Sequence, residues 1–237
     1  MKSRTEQLEN RGYIADGLEN DYYDTSFEQR LRLLKSDLPT DRTLGARLLA
    51  KYSDLSSVDV LINALIIEKK LYAKIEICNS LVTFGNDVIF PLIELMGKIG
   101  NNQHKRILNS KFKKDSYPLP RDIASRTIIR IGTKALPDLL KVLDSEDITQ
   151  LSEVIDAIGF ICFYEYQSEI FEQLKNCFYR YSENDLIKWK IIRAMSAFSE
   201  SESFLNEQKQ QLGNKNMEPE IERSLSLIFK RTREMSV

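Results

Sequence analysis

The chain has 237 residues, 42% hydrophobic and 29% charged, with a formal net charge of −1. Such a balance suits a chain that buries a large core and gives no overall pull toward nucleic acid or anionic lipid. Only 9 Gly and 6 Pro occur, too few for a turn-rich all-β chain, and every apolar run is short and broken by charge, which excludes a membrane span.

Residues 1–25 are polar and acidic, without the apolar core of a signal segment, and carry Asp16, Glu19, Asp21 and Asp24. Gly12 and Gly17 interrupt helix formation, so this stretch is expected to be a partly ordered arm ahead of a single repeat domain over 26–237. A first helix is predicted near Ser26, because Ser26 and Gln29 form a capping box and Phe27, Leu31 and Leu34 share a face.

From there one pattern recurs. It runs Arg42-x2-Gly45-x3-Leu49-x2-Tyr52-Ser53, then Lys74-x2-Ile77-x3-Leu81-x2-Phe84-Gly85, then Arg121-x2-Ala124-x3-Ile128-x2-Ile131-Gly132. A looser copy starts at Ile148 and ends Ile158-Gly159, a fifth runs from Lys188 to Ser199, and a fragment reads Ile221-x3-Leu225-x2-Ile228. Steps of three and four put the apolar members on one helix face, and the closing Gly or Ser is expected to stop that helix. A second helix is predicted after each copy, over 57–68, 87–99, 134–143, 166–180 and 201–212. Ser56-Ser57, Asn86, Thr133 and Ser201 are the expected N-terminal caps, and Pro91 and Pro137 fall in first turns. Residues 101–120 interrupt the series as an insertion, expected to be a loop with at most a short helix at Arg106–Phe112. Repeats of this length with two helices each define a stacked array.

The best copies are RDIASRTIIRIGTKALPDLLKVL from Arg121 to Leu143 and KIEICNSLVTFGNDVIFPLIELM from Lys74 to Met96. They resemble HEAT repeats of the short bacterial and archaeal type, over roughly residues 40–230. The resemblance implies an all-α, right-handed α-α superhelix of about six helix pairs, armadillo-like in its stacking. It also implies a non-enzymatic scaffold or adaptor that binds another protein on the inner face, lined by the second helices. A minority of HEAT-like proteins bind nucleic acid, and a few attach bilin cofactors; both stand as alternatives.

The chemistry-bearing residues add little to that. The lone histidine, His104, precedes Lys105, so the His-Glu pairs of the iron-holding HEAT enzymes are missing, and no metal, cofactor or catalytic set is expected. His104 reads as a solvated loop residue, and Trp189 as packing partly outside. Cys78, Cys162 and Cys177 lie in apolar helical patterns and read as buried free thiols, which suits a reducing cytoplasm.

Charge is unevenly spread. From His104 to Lys134 nine bases face two acids, a local charge of +7, and from Asp144 to Asp185 ten acids face two bases, a local charge of −8. Solvated surface with ion pairs between neighbouring repeats is one explanation; a basic insertion over 104–134 that meets an acidic partner or a phosphate backbone is the other. Candidate partner-binding residues are therefore Lys105, Arg106, Lys111, Lys113, Lys114 and Arg121. Tyr164, Tyr166, Tyr179 and Tyr181, in the aromatic-dense stretch 160–181, are candidate anchors of a protein interface.

Overall fold

A computed structural model describes residues 3–22, 24–52, 54–107, 115–211 and 216–234. Among the described residues the chain is all-α, with thirteen helices, five short 3-10 turns and no strand. It divides into two compact units, Met1–Pro91 and Leu92–Val237. Among the described residues no helix is long and apolar enough to cross a membrane.

The first unit contains α1 (Arg4–Glu9), α2 (Phe27–Leu34), α3 (Pro39–Lys51), α4 (Ser56–Ile67), α5 (Leu71–Val82) and the start of α6 (Ile89–Leu95). The capping box of Ser26 and Gln29 opens α2 as expected, but α1 precedes it with a second box of the same kind, Ser3 with Glu6. The segment after α1 is tied to the repeat helices by main-chain groups. Thr43 donates its hydroxyl to the Gly12 carbonyl (2.6 Å), the Tyr72 amide donates to the Arg11 carbonyl (2.9 Å), and Ile14 packs on Leu44 and Leu48.

The second unit contains α7 (Ile123–Ile128), α8 (Leu136–Leu140), α9 (Ile148–Tyr164), α10 (Ile170–Arg180), α11 (Asp185–Met195), α12 (Glu202–Gln211) and α13 (Glu218–Glu234). The recurring pattern falls on α3, α5, α7, α9, α11 and α13. In the first unit α3 packs on α5; in the second α7 packs on α9, α9 on α11, and α11 on α13. The second helices α4, α8, α10 and α12 each pack on the pattern helix that follows them in the chain. The apolar members of the pattern are what these contacts bury: Leu49, Ile77, Leu81, Ile128, Ile155, Ile158, Ile191, Met195 and Phe198 are all inaccessible to solvent or nearly so. Each such aliphatic side chain contributes about 1.5–3 kcal/mol of burial.

The helix ends divide into two groups. Gly85 and Gly132 take φ of 58° and 74°, the left-handed conformation that a terminating glycine was expected to adopt. Gly159 does not terminate anything. It lies inside α9, where its missing side chain admits a tyrosine described below. Several caps also differ from expectation. Asp54, not Ser56 or Ser57, accepts from the Ser56 amide at the start of α4 (2.9 Å). Asn86 and Thr133 lie within 3-10 turns that delay α6 and α8, so Pro91 and Pro137 do sit in first turns. Ser201 donates its hydroxyl backward, to the carbonyls of Met195 and Phe198, instead of accepting from a free amide. Cys78, Cys162 and Cys177 are buried and form no disulfide.

Candidate functional site

Charged side chains join three of the four packed pairs of pattern helices at one fixed register; in the fourth, α7 on α9, the equivalent positions are Arg126 and Gln150, which turn to the carbonyls of Pro120 and Ile93. Counted from the first residue of each copy, and from Glu218 for the closing fragment, whose Ile221 matches the second member of the pattern, the residue five positions on pairs with the residue two positions into the next copy. Arg47 of α3 meets Glu76 of α5 at 3.0 Å, Glu153 of α9 meets Lys190 of α11 at 3.1 Å, and Arg193 of α11 meets Glu220 of α13 at 3.4 Å. A second register recurs beside it. Ser80 donates to the Ala46 carbonyl at 2.9 Å, and Ser224, at the same position of its own copy, donates to the Ile192 carbonyl at 3.0 Å. The acidic stretch 144–185 is thus partly spent inside the fold.

In the second unit this register becomes a buried polar seam. Lys190 has no exposed surface, and its ammonium also reaches Asp156 at 2.6 Å. Arg193 stands 3.8 Å from Asp156 and Arg223 stands 2.9 Å from Glu220, so three acids face three bases across α9, α11 and α13. Burial pushes the Glu153 carboxyl up to about 7, against the pull of Lys190 and with the help of the nearby Asp156 charge.

The described parts of the insertion, residues 101–107 and 115–120, fold back over this seam and form a strap. Gln103 donates to the Ile99 carbonyl and to Asp122, which also caps α7 through the Ser125 amide. His104 packs edge-on against Trp189, at 5.3 Å between ring centres, while the Arg193 guanidinium lies 3.9 Å from the Trp189 ring on its own helix. Tyr117 is buried against Phe160 and Phe163, and its phenol oxygen occupies the space that a side chain at Gly159 would fill. Arg223 donates to the Ser116 carbonyl (2.7 Å), and Lys230 pairs with Asp115 (2.8 Å).

Two expectations are corrected here. His104 is not a solvated loop residue: it is half-buried, both ring nitrogens are shielded from solvent without a hydrogen-bond partner, and burial lowers its pKa to about 4. Trp189 does not pack outside; it is 2% exposed, because the strap supplies the missing wall. The seam itself left a signal in the sequence. Glu153 and Asp156 stand three apart as the only charged residues of α9, and Lys190 and Arg193 stand three apart among the apolar residues of α11.

The candidate contact residues are dispersed. Lys105, Arg106 and Arg121 are exposed, whereas Lys111, Lys113 and Lys114 lie outside the described residues, as does all but the start of the helix expected at 106–112; Arg106 and Ile107 are not helical. Tyr164 and Tyr166 lie at the end of α9. Tyr164 leans on Phe160 and Phe163, and Tyr166 donates to Glu200. Tyr179 and Tyr181 lie at the far end of α10, Tyr179 against Phe204 and Tyr181 donating to the Ser145 carbonyl (2.8 Å) ahead of α9. The two pairs are therefore separated by the length of α9, about 24 Å at 1.5 Å per residue.

A groove in the first unit, about 640 Å³ in volume, was not foreseen. Leu34, Val60, Ala64 and Ile67 give it apolar walls from α2 and α4. Its end is closed by Arg42 clasping Glu68 through two hydrogen bonds of 2.6 and 3.1 Å. Burial alone would raise the Glu68 pKa, but Arg42 and the amides of Lys69 and Lys70 (2.8 and 2.7 Å) hold it below the usual carboxylate range.

No protein-family model and no curated protein sequence matches this chain.

Proposed function

We propose that the chain is a HEAT-like repeat protein, a right-handed superhelix of about six helix pairs, that acts without catalysis as a scaffold or adaptor for another protein. The recurrence of one ion-pair register and one serine–carbonyl register between successive pattern helices supports the repeat reading, since stacked repeats place equivalent residues in equivalent contacts. The titratable groups of the seam face one another, which supports a structural role for them over an acid–base one.

The observation that carries the binding role is the exposure of large apolar side chains on separate second helices. Ile67 on α4 is 75% exposed, Phe90 on α6 69%, and Tyr179 on α10 51%. The nucleic-acid alternative has less support. Of the insertion's aromatic groups, Phe112 lies outside the described residues, and the two described ones, His104 and Tyr117, are turned onto Trp189 and Phe160.

Photocrosslinking tests the reading. A benzophenone amino acid placed in turn at Ile67, Phe90 and Tyr179 is expected to capture the same protein, while the probe at Ser226, exposed on α13, captures it weakly or not at all. Capture of no common protein from any of the three positions would reject the scaffold role.

A further inference from the structure

The groove of the first unit has a charge pattern that selects an occupant. Its rim carries Lys35, Lys69 and Lys70, all exposed and none with a carboxylate partner among the described residues. The acid that lines it, Glu68, is held by the Arg42 guanidinium and by two backbone amides. The fixed pair cancels, so the groove presents apolar walls under three uncompensated positive charges. Arg42 spends its remaining Nη1 on the carbonyls of Ser36 and Asp37 (2.9 and 3.0 Å), so the clasp ties the α2–α3 turn to the α4–α5 turn and sets the groove's width.

Ile67 defines the shape. It lines the groove yet stands 75% exposed, so the apolar floor runs out to an open edge. A small apolar ligand depends on having most of its surface enclosed, which this edge denies. An amphipathic helix needs only one face covered and keeps the other in water.

We infer that this groove docks an amphipathic helical segment of a partner protein, with apolar residues at i, i+3, i+4 and i+7 and Asp or Glu flanking them toward Lys35, Lys69 and Lys70. The inference rests on the scaffold reading and gives it a surface and a partner chemistry.

The test is selection from a displayed library of random 16-residue peptides against the full chain, followed by titration of the enriched peptides. The expected peptides carry that apolar spacing with a net negative charge. Their affinity should fall at least tenfold in Ile67→Asp and at least tenfold in the triple variant Lys35→Glu, Lys69→Glu, Lys70→Glu. It should also weaken as salt is raised. All four positions are exposed or lie at the rim, so circular dichroism should report an unchanged fold for both variants.

Enriched peptides without acidic bias, or with affinity indifferent to both variants, would overturn the inference. So would saturable binding of dodecanoate that Ile67→Asp abolishes when no acidic consensus emerges, since the groove would then serve a small anionic lipid. A partner captured through Phe90 and Tyr179 but not through Ile67 would sink the groove and leave the scaffold standing; capture through none would sink both.

Discussion

Lys190 and Glu153 meet at 3.1 Å where neither side chain has solvent access, and they do so at the register that joins Glu76 to Arg47 in the other unit. The two pairs differ in environment: Arg47 and Glu76 keep 18% and 16% of their side-chain surface. Replacing Lys190 by Met should therefore cost about 3–5 kcal/mol, because Glu153 and Asp156 lose their buried counter-charge. Adding Glu153→Leu and Asp156→Leu to that variant should recover most of the loss. The Arg47–Glu76 pair should show a coupling energy of only about 1 kcal/mol or less. Urea unfolding of the variants and their double-mutant cycles measures all three.

Stability should respond to pH through two groups of opposite sign. Glu153 is raised to about 7, so its contribution is complete below the ordinary value near 4.5 and is lost as pH rises through 7. His104 is lowered to about 4, so its contribution is complete above 6.5 and is lost as pH falls through 4. Relative to wild type, Glu153→Gln should make stability rise more steeply with pH between 4.5 and 6.5. His104→Gln should make it fall more steeply over the same window, each change approaching about 1.4 kcal/mol per pH unit. Denaturation midpoints taken at half-unit steps would reveal the two slopes; equal slopes for both variants would contradict the assignment.

The strap depends on Gly159. Gly159→Ala should destabilise the second unit by more than about 2 kcal/mol, since the added methyl overlaps the Tyr117 phenol and lies 2.8 Å from Ala194. Tyr117→Phe should cost less than about 1 kcal/mol, because the hydroxyl has no hydrogen-bond partner to lose. Thermal melts of the two variants separate the steric role of the glycine from any polar role of the tyrosine.

Gly85 tests the helix-ending reading in open space. No atom lies within 4 Å of a side chain placed there, so only the positive φ penalises a replacement. Gly85→Asn should stay within about 1 kcal/mol of wild type, whereas Gly85→Val should cost clearly more, because a β-branched residue is strained at positive φ. Equal melting temperatures would contradict the assignment.

Local signals in the sequence were sufficient where the physics is local. The Ser26–Gln29 box, the apolar stripe of each copy and the left-handed Gly85 and Gly132 depend on neighbours within a turn or two, and all are found in the structure. The role of Gly159 was misread because a helix stop and a close approach both require glycine, and the approaching Tyr117 is distant in sequence. His104 and Trp189 were misplaced for the same reason: each gains its burial from the other across a strap that carries no periodic signal. The groove at Ile67 joins three short segments of the first unit, so no single window of sequence contains it.

The central claim is that exposed apolar residues on second helices hold a protein partner. Native mass spectrometry of the chain isolated from its own cells tests it, with wild type beside the triple variant Ile67→Asp, Phe90→Asp, Tyr179→Asp. The wild-type chain should carry one protein partner in fixed stoichiometry, and the variant should be folded and free of it. A partner retained in full by the variant, or nucleic acid in its place, would contradict the account.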